Sequence, residues 1–408
     1  MKIDIAEWMD GVTGTDYIWF IKRLSGNDTL ANGTHQAGPY IPKEFLFSVF
    51  PSLKKQEILN PDILFRLSVD SHSDSRKIRA IWYNNKFHGG TRNETRLTNF
   101  GGHNSALLNP ENTGALTIFA FRIERNAEAK ECHVWVCCKV DEENYAEERF
   151  GAIEPGAGKI WVNSDIGYTS LFVKEEKKKA DCWLKPEDIP ASWITKFPTG
   201  AEIIRKTVEL RPEHNHSSDA RLITRRNCEY EIFRSIEEAI ELPWIRQGFA
   251  NIEEFITKAQ TILQRRKARS GRSLELHVRE IFLEEQMREG ADFSHQPESE
   301  DGKKPDFLFP SEREYKNRSF SAEKLRMLAI KTTCKDRWRQ VINEADRIGT
   351  KHLLTLQEGI SENQYREMVT QNVRLVVPEK IIGKYPKSIQ PHLITLEKFI
   401  CEIKHLNA

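Results

Sequence analysis

The N-terminal part of the chain alternates short apolar runs with turn residues. The runs are rich in β-branched and aromatic side chains, and Gly, Asn and Asp separate them. This pattern is typical of β-strands joined by short loops. The predicted strands cover residues 16–24, 63–69, 78–83, 115–123 and 132–140. We therefore predict a β-rich N-terminal domain over residues 1–173.

A charged stretch follows this domain. Residues 174–179 are all Lys or Glu, and Pro186 and Pro190 come soon after them. Such a stretch has nothing to bury, and prolines restrict regular structure. We therefore predict a linker over residues 174–190.

Beyond the linker, apolar residues recur every three or four positions, which is typical of helices. Helices are predicted over residues 219–242 and 252–269, and Gly271 is expected to end the second helix before another begins at Ser273.

Strands and helices alternate from Asp306 onward, as in an α/β sheet with both faces covered. The predicted strands cover residues 307–309, 327–331, 353–356 and 374–377, and the predicted helices cover 335–348 and begin near 362 and 396. We therefore predict a C-terminal α/β/α domain over residues 191–408.

Two charged residues stand at the ends of apolar runs. Asp306 precedes the run 307–309, and Lys331 ends the run 328–331. If these strands pair, a carboxylate and an ammonium meet at one sheet edge, beside Glu344. Mg²⁺ held by carboxylate oxygens can neutralise a phosphodiester and acidify the attacking water. We therefore predict a metal-dependent nuclease, with Asp306 and Glu344 as Mg²⁺ ligands and Lys331 at the scissile phosphate.

Each of these residues also has an ordinary explanation. An Asp at a strand start and a Lys at a strand end are common in buried strands. The usual nuclease pattern has an acid two residues before the lysine, where this chain has Ala329. The pattern alone leaves both interpretations open.

The residues around Lys331 carry a more specific signal. The segment 331–346, together with the upstream segment 273–277, resembles the EcoRII-type (type IIE) restriction endonucleases, which cut at CC/GG-bounded sites. Further similarity covers residues 17–42, 80–102, 225–249 and 313–377. The resemblance implies an N-terminal effector domain with a β-pseudobarrel fold, like the plant B3 DNA-binding domain. It also implies a C-terminal catalytic domain of the restriction-endonuclease (PD-(D/E)XK) fold.

The resemblance implies a catalytic set of Glu275, Asp306, Lys331 and Glu344. In the family, the missing acid lies on the helix after the lysine, at the spacing of Glu344. Glu275 would lie on the helix that begins near Ser273 and would serve in the outer part of the metal site.

The same resemblance makes Lys335, Asp336 and Arg337 the residues that read bases. Arg and Lys donate to guanine O6 and N7, while Asp accepts from cytosine N4, so the triplet suits G·C pairs in the major groove. The alternative is a solvated helix start with an Asp near the cap.

Arg226 and Tyr230 match residues with which the family stacks on nucleotides turned out of the duplex at the central base pair. A planar guanidinium and an aromatic ring can form such a platform. The alternative is an ordinary pair of side chains on a helix surface.

A second DNA surface is implied in the N-terminal domain. Arg92, Glu94 and Arg96 alternate as they would on one face of an extended segment. The alternative is a polar hairpin loop. The DNA contacts that the resemblance implies are His35, Tyr40, Lys86, Arg92, Glu94 and Arg96.

The chain has 61 Lys and Arg against 60 Asp and Glu, which gives a formal charge of +1. A nonspecific DNA binder would be more basic, so DNA contact must depend on local clusters. One cluster lies at residues 331–339, and a second consists of Arg265, Arg266, Lys267, Arg269 and Arg272, which could equally be a solvated face.

The seven cysteines lack the paired spacing of a structural zinc site, and we predict that they are reduced thiols in a cytoplasmic protein. The N-terminus lacks the apolar core of a signal peptide, and no stretch is long enough to cross a bilayer.

Together these features predict a type II restriction endonuclease that cleaves a short palindrome of the CCWGG type with Mg²⁺. The N-terminal domain would bind a second copy of the site. A palindrome is best read by a two-fold dimer, so we expect a homodimer formed through the catalytic half. A cognate methyltransferase is expected genetically, not as a stable complex. The alternatives are a structure-selective repair nuclease or junction resolvase, and a non-catalytic DNA-binding regulator.

Overall fold

The chain forms two units in the computed structural model, which describes residues 4–33, 38–101, 104–123, 128–162, 182–213, 216–300 and 302–407. The N-terminal unit contains residues 1–175, 357–366 and 383–391. The C-terminal unit contains residues 176–356, 367–382 and 392–408. Two short segments from late in the chain thus belong to the N-terminal unit, where Gly26 N donates to Glu358 O at 2.7 Å. The predicted linker begins outside the described residues, which resume at Cys182.

Seven strands form one curled sheet in the described part of the N-terminal unit, in the order β4-β3-β2-β6-β5-β1-β7. Neighbouring strands are antiparallel except for β2 and β6, which are parallel. The strands are β1 (Tyr17–Arg23), β2 (Asp62–Val69), β3 (Asp74–Tyr83), β4 (Glu94–Thr98), β5 (Leu116–Ile123), β6 (Ala129–Val136) and β7 (Gly158–Val162). Three helices accompany them, α1 (Ile5–Gly11), α2 (Lys43–Val49) and α3 (Val140–Phe150).

The central strands β1 and β5 are buried on both faces. On one face Phe20 packs against Phe45 of α2, with their ring centroids 5.3 Å apart. On the other face Trp19 packs against Trp8 of α1, with their centroids 5.9 Å apart. Strands covered on both faces read as continuous apolar runs, which is why the sequence predicts them clearly.

All five predicted N-terminal strands are present, but β3 begins at Asp74, four residues before its predicted start, and β6 covers Ala129–Val136 in place of 132–140. The run 132–140 ends as a strand at Val136, and α3 begins at Val140. The Glu142 carboxylate accepts hydrogen bonds from the backbone N of Cys138 at 2.6 Å and of Lys139 at 3.1 Å. These bonds satisfy donors at the start of α3 and turn the chain out of the sheet.

The described part of the C-terminal unit contains a five-stranded sheet in the order β12-β11-β10-β9-β8. Strands β10, β11 and β12 are parallel, and β9 is antiparallel to both β10 and β8. The strands are β8 (Ser294–His295), β9 (Phe307–Phe309), β10 (Arg326–Ile330), β11 (Lys351–Leu354) and β12 (Val373–Val376). The predicted strands at 307–309, 327–331, 353–356 and 374–377 are confirmed within three residues at each end.

Eight further helices are present among the described residues after 190. They are α4 (Ala191–Thr195), α5 (Gly200–Leu210), α6 (Ser218–Gln247), α7 (Ile252–Glu284), α8 (Glu312–Lys316), α9 (Glu362–Thr370), α10 (Glu379–Ile382) and α11 (Leu396–Asn407). The predicted helix over residues 335–348 is wrong, because the structure has only a 3₁₀ turn at Arg337–Gln340 there, followed by turns.

The helices α6 and α7 form a long hairpin that corrects two predictions. Gly271 does not end a helix, since α7 continues through it to Glu284. Three arginines of the basic cluster at 265–272 pair with buried acids of α6, so the cluster is not simply a solvated face. These pairs are Arg265–Glu241 at 2.7 Å, Arg266–Glu237 at 2.6 Å and Arg269–Glu229 at 2.6 Å. These ion pairs hold α7 against α6 just before Gly271 and help the helix to continue through this residue despite its low helix propensity.

The cysteines correct a third prediction. Cys182 and Cys228 form a disulfide, so the prediction that all seven cysteines are reduced thiols is wrong. Cys182 lies within the predicted linker and Cys228 lies on α6, and both belong to a small apolar cluster with Ile232 and Phe233. The cytoplasmic location stays a prediction.

Replacing Gly271 with Ala should stabilise the protein. A methyl group at this position would meet nothing within 4 Å, and Ala favours a helix interior over Gly by about 1 kcal/mol. We expect a higher midpoint of thermal unfolding, followed by the helical circular dichroism signal.

Gly248→Ala is the matched control for this change. Gly248 also has open space around it, but it ends α6 with φ +83°, a conformation that L residues rarely adopt. This control should lower the midpoint. A lower midpoint for Gly271→Ala as well would contradict the view that α7 is regular there.

Candidate active site

The antiparallel pairing of β9 and β10 places Asp306. Phe307 lies opposite Leu328, so Asp306, one residue before β9, lies beside the end of β10. Ile330 N donates a hydrogen bond to Asp306 Oδ2 at 2.6 Å. The strand pairing that the sequence predicts is therefore confirmed.

Lys331 directly follows β10. Its backbone N donates to Leu354 O of β11 at 3.0 Å, which continues the parallel pairing by one residue beyond β10. Burial raises the pKa of Asp306, while the charge of Lys331 and the hydrogen bond from Ile330 N lower it. The ammonium and the carboxylate thus interact at the same edge of the sheet.

Glu344 lies on a turn and not on a helix, which corrects the expectation from the resemblance. Glu344 N donates to Val341 O at 3.1 Å, and the next residue, Ala345, has φ +50°. The Lys351 ammonium donates to the carbonyl oxygens of Glu344 at 2.5 Å and Ala345 at 2.6 Å. A regular right-handed helix cannot pass through Ala345, because its φ of +50° lies in the left-handed region.

The Glu344 carboxyl interacts electrostatically with Asp306 and Lys331. Burial, reinforced by the charge of Asp306, raises the pKa of Glu344 to about 7, and the charges of Lys331 and Lys351 oppose this shift. Glu344 Oε2 is buried and has no hydrogen-bond partner among the described residues. A buried acceptor without a partner is costly, so this oxygen is suited to a ligand.

The acids Asp306 and Glu344 fit a hard divalent cation. Such a cation would give the buried Glu344 oxygen a partner and would favour the ionised form of both carboxyls. Within the described ranges, no group of three or more His, Cys, Asp and Glu side chains is gathered to hold a metal ion. Two carboxylates are still sufficient for Mg²⁺, which usually keeps waters and substrate phosphate oxygens as further ligands.

Glu275 lies in the interior of α7, which corrects the prediction of a helix beginning near Ser273. Glu275 Oε1 is hydrogen-bonded to His295 Nε2 at 2.5 Å and accepts from Gln296 Nε2 at 2.7 Å. Gln296 N donates in turn to Asp306 O at 2.9 Å. Glu275 is therefore linked to Asp306 through two residues at β8.

Sequence patterns do not reveal three residues that hold this site together. His295 and Gln296 belong to a strand of only two residues and the residue after it, which is too short to show a periodicity. The third is Lys351, the first residue of β11. A lysine at a strand start normally indicates a solvated edge, whereas here the residue is 6% exposed.

The predicted base-reading triplet lies between β10 and Glu344. Lys335 is buried, and Asp336 and Arg337 are partly exposed. Asp336 precedes the 3₁₀ turn at Arg337–Gln340 but makes no side-chain capping bond, so the alternative role as a helix cap has no support. Its carboxylate pairs instead with Arg339 at 3.3 Å.

Arg226 and Tyr230 lie on α6 in different environments. Arg226 is 6% exposed and lies 3.9 Å from the Glu229 carboxylate. Tyr230 is 48% exposed, and the Arg269 guanidinium lies over its ring, 4.7 Å from the centroid. The exposed ring of Tyr230 is available to a ligand, whereas the Arg226 guanidinium is covered.

The predicted effector contacts lie on and around β4, except for His35, which is outside the described residues. Arg92 pairs with Glu94 at 2.5 Å and stacks over the Tyr83 ring at 4.0 Å. Arg96 lies 3.5 Å from the other oxygen of Glu94. These side chains therefore share one face.

Two further effector residues lie beside this group. Tyr40 forms a β-bridge with Arg96 and is exposed, as is Lys86, whose N donates to Arg92 O at 2.9 Å.

None of the described helices combines the length and the apolar character that a membrane span requires.

Comparison with known proteins gives consistent matches to both halves of the chain. Residues 13–165 match the model of the N-terminal domain of restriction endonuclease EcoRII, and residues 233–400 match the model of the EcoRII C-terminal domain. The type II restriction enzyme EcoRII of Escherichia coli is 43% identical over 411 residues, which cover 98% of this chain and 97% of that enzyme.

Solved structures with similar folds include two of metal-depleted Ecl18kI. The complex with uncleaved DNA has a TM-score of 0.43 and 19% sequence identity. The complex with uncleaved, modified DNA has a TM-score of 0.42 and 17% sequence identity. Each match covers 55% of this chain and 85% of the Ecl18kI chain. The UbaLAI restriction endonuclease B3 domain with cognate DNA has a TM-score of 0.27 at 20% identity and covers 38% of this chain and 96% of the other.

The two matched domains, in this order, define a site-specific DNA endonuclease with a mixed α/β architecture. The chain belongs to the EcoRII family of type II restriction endonucleases. The prediction of a DNA-binding restriction endonuclease is therefore confirmed over the repair-nuclease and regulator alternatives.

The raised pKa of Glu344 predicts how the stability of the metal-free protein depends on pH. The folded state favours the protonated Glu344 carboxyl. The contribution of this carboxyl to the free energy of unfolding is therefore fully present below its ordinary pKa of 4.5 and is lost as the pH rises through about 7. Glu344→Gln stays neutral at every pH. In chelator-treated protein, its unfolding midpoint should therefore match the wild type near pH 4.5 and exceed it at pH 8.

Glu397→Gln serves as the control for this titration, since Glu397 is an exposed acid on α11 away from the site. Its midpoint should differ from the wild type by a similar amount at both pH values. A pH-independent difference for Glu344→Gln would show that the Glu344 carboxyl does not titrate as described.

Proposed function

We propose that Asp306 and Glu344 hold Mg²⁺ and that the enzyme uses it to cleave double-stranded DNA at a short palindrome of the CCWGG type. The observation that carries this proposal is that Asp306 and Lys331 lie beside the paired strands β9 and β10, where the charge of Lys331 lowers the pKa of both Asp306 and Glu344 and Asp306 raises that of Glu344. Restriction endonucleases as a class use a divalent metal, and the two acids offer the oxygens that Mg²⁺ prefers.

The residues of the chain have separate tasks in this proposal. The bound Mg²⁺ would neutralise charge on the phosphate and make a nearby water more acidic. Ile330 N fixes one oxygen of Asp306 and leaves the other free to face the site. Lys331 contacts the scissile phosphate as a compact point charge. Glu275, held by His295 and Gln296, serves in the outer part of the site.

The DNA bases are read from the segment between Lys331 and Glu344. Lys335 and Arg337 donate to guanine and Asp336 accepts from cytosine, which together select G·C pairs at the ends of the site. Tyr230 stacks on a nucleotide turned out at the central base pair, for which its exposed ring is suited. Arg226 would share this task only after its guanidinium moves out of its buried position.

The N-terminal unit binds a second copy of the recognition site in this proposal. His35, Tyr40, Lys86, Arg92, Glu94 and Arg96 form the contact surface, of which His35 is placed by sequence alone. The support is the ion-pair chain in which Glu94 lies between Arg92 and Arg96. Although burial opposes its ionisation, hydrogen bonds and charge from Arg92 and Arg96 lower the pKa of Glu94, so the group is fixed in its charged form. Guanidinium groups oriented in this way suit bidentate contacts to guanine.

The assembly follows from the palindrome. Two identical active sites are needed to cut both strands symmetrically, so the C-terminal units form a two-fold homodimer. The enzyme acts on cytoplasmic DNA, and a cognate methyltransferase protects the host without forming a stable complex with it.

A cleavage assay on linear DNA tests the proposal. With Mg²⁺, the wild type should give discrete fragments at CCWGG-type sites, and without it the DNA should stay intact. Lys331→Ala should lower the cleavage rate by about 10²–10³-fold, because it removes a positioned charge at the phosphate. Binding of DNA, followed by gel shift, should remain measurable.

Lys324→Ala is the control, since Lys324 is an exposed lysine just before β10. It should cleave at nearly the wild-type rate. Cleavage without sequence preference, or only of branched substrates, would refute the restriction proposal, and unimpaired cleavage by Lys331→Ala would refute the role of Lys331.

The second binding surface has its own test. Arg92→Ala removes a guanidinium that is stacked on Tyr83 and paired with Glu94. It should weaken binding of a second cognate duplex by about 1–3 kcal/mol, the worth of a bidentate base contact. Stimulation of single-site cleavage by added cognate duplex should fall accordingly.

Arg122→Ala is the control in the same unit, since Arg122 is an exposed arginine of β5 that pairs with Asp16 and Glu131. It should leave the stimulation unchanged. An equal loss with both variants would indicate general electrostatics and count against a specific contact by Arg92.

A further inference from the structure

The turn that carries Glu344 has little internal support. Between the 3₁₀ turn at Arg337–Gln340 and β11, Glu344 N donates to Val341 O and Ile348 N donates to Ala345 O at 2.9 Å. Ala345 has φ +50°, a left-handed conformation that is uncommon for residues other than glycine. Such a conformation persists only when the surroundings hold it. The position of Glu344 therefore depends on contacts from other elements.

The buried side chain of Lys351, on β11, provides one contact from another element to the main chain of this turn. Its ammonium donates to two successive carbonyl oxygens of the turn, those of Glu344 at 2.5 Å and Ala345 at 2.6 Å. Its backbone N donates to Asn372 O at 2.9 Å, and in the sheet it lies opposite Val373 of β12. The turn is thus attached to the sheet itself.

The hydrogen bonds from Lys351 to the turn are made in a buried setting, since the residue is only 6% exposed. A charged donor makes stronger hydrogen bonds than a neutral one, and an apolar side chain would leave both carbonyls without this partner.

A second contact holds the same turn from the solvent side. The Lys303 ammonium pairs with the Asp346 carboxylate at 3.0 Å, and the Asp346 side chain is 60% exposed. Exposed ion pairs contribute little, whereas buried charged hydrogen bonds contribute more. The two lysines contact adjacent residues of one turn, but Lys351 is buried and binds main-chain carbonyls, whereas Lys303 is partly exposed and pairs with a side chain.

We infer that Lys351 is a positioning residue, which fixes the main chain at Glu344 so that the carboxylate stays beside Asp306 and Lys331 in the geometry that a divalent cation needs. This inference rests on the proposed metal-binding role of Glu344. Groups that orient metal ligands typically change metal affinity or activity by about 10–100-fold when they are removed.

The test uses the full-length enzyme with Lys351→Met and Lys351→Gln. Lys351→Met removes both bonds, and Lys351→Gln keeps a neutral donor. In single-turnover cleavage, the Mg²⁺ concentration for half-maximal rate should rise about 10–100-fold for Lys351→Met and by less for Lys351→Gln. Gel shift without metal should show unchanged DNA affinity.

Two readouts do not depend on cleavage. Calorimetric titration of Ca²⁺ into the enzyme–DNA complex should show an affinity loss of the same factor. Amide hydrogen exchange should accelerate at residues 344–348 and not in β12. A merely structural role would lower the thermal midpoint without changing the metal affinity.

Lys303→Met is the matched control, because it removes the exposed contact to the same turn. Its half-saturating Mg²⁺ concentration should stay within about twofold of the wild type. If Lys351→Met does not fold, Lys351→Gln decides the question. Unchanged metal affinity in the folded variants would overturn the inference, whereas a wild type that cleaves without any divalent ion would overturn the proposed function instead.

Discussion

The site depends on the pairing of β9 with β10, which ends in the hydrogen bond from Ile330 N to Asp306 Oδ2. This bond brings together residues that are 24 positions apart and fixes one carboxylate oxygen against the end of a buried strand. Lys331 is the next residue along that strand, so the same pairing places an ammonium beside the acid. Shifting the register by one residue would send these side chains to opposite faces of the sheet.

The charges of the site are balanced against burial. Two carboxyls lie where burial disfavours ionisation, and the pKa values of Asp306 and Glu344 are both raised despite the nearby lysines. Such a site resists holding two negative charges by itself and accepts them when a cation arrives. Raised pKa values of this kind are common at functional sites. The surrounding sheet and the helix that carries Glu275 hold these groups in place.

Sequence patterns predict those parts of the structure that a single element determines. The apolar runs beside Asp306 and Lys331 are buried strands, and their pairing is as expected. The helix predicted over residues 335–348 fails although its spacing is amphipathic, because Ala345 has φ +50° in a turn whose carbonyls bind Lys351 of β11. Gly271 fails as a helix end for a similar reason, since the ion pairs between α6 and α7 come from distant residues. The link from Glu275 to His295 also joins elements that sequence spacing does not relate.

The ion pairs of the α6–α7 hairpin also affect the thermodynamics of DNA binding. When a protein neutralises phosphates, it releases condensed counterions, and the number released sets how steeply affinity falls with salt. Arg265, Arg266 and Arg269 are already neutralised by Glu241, Glu237 and Glu229. Three positive charges are thus balanced by three negative charges within the hairpin, so the net charge that this segment offers to phosphates is smaller than its composition suggests.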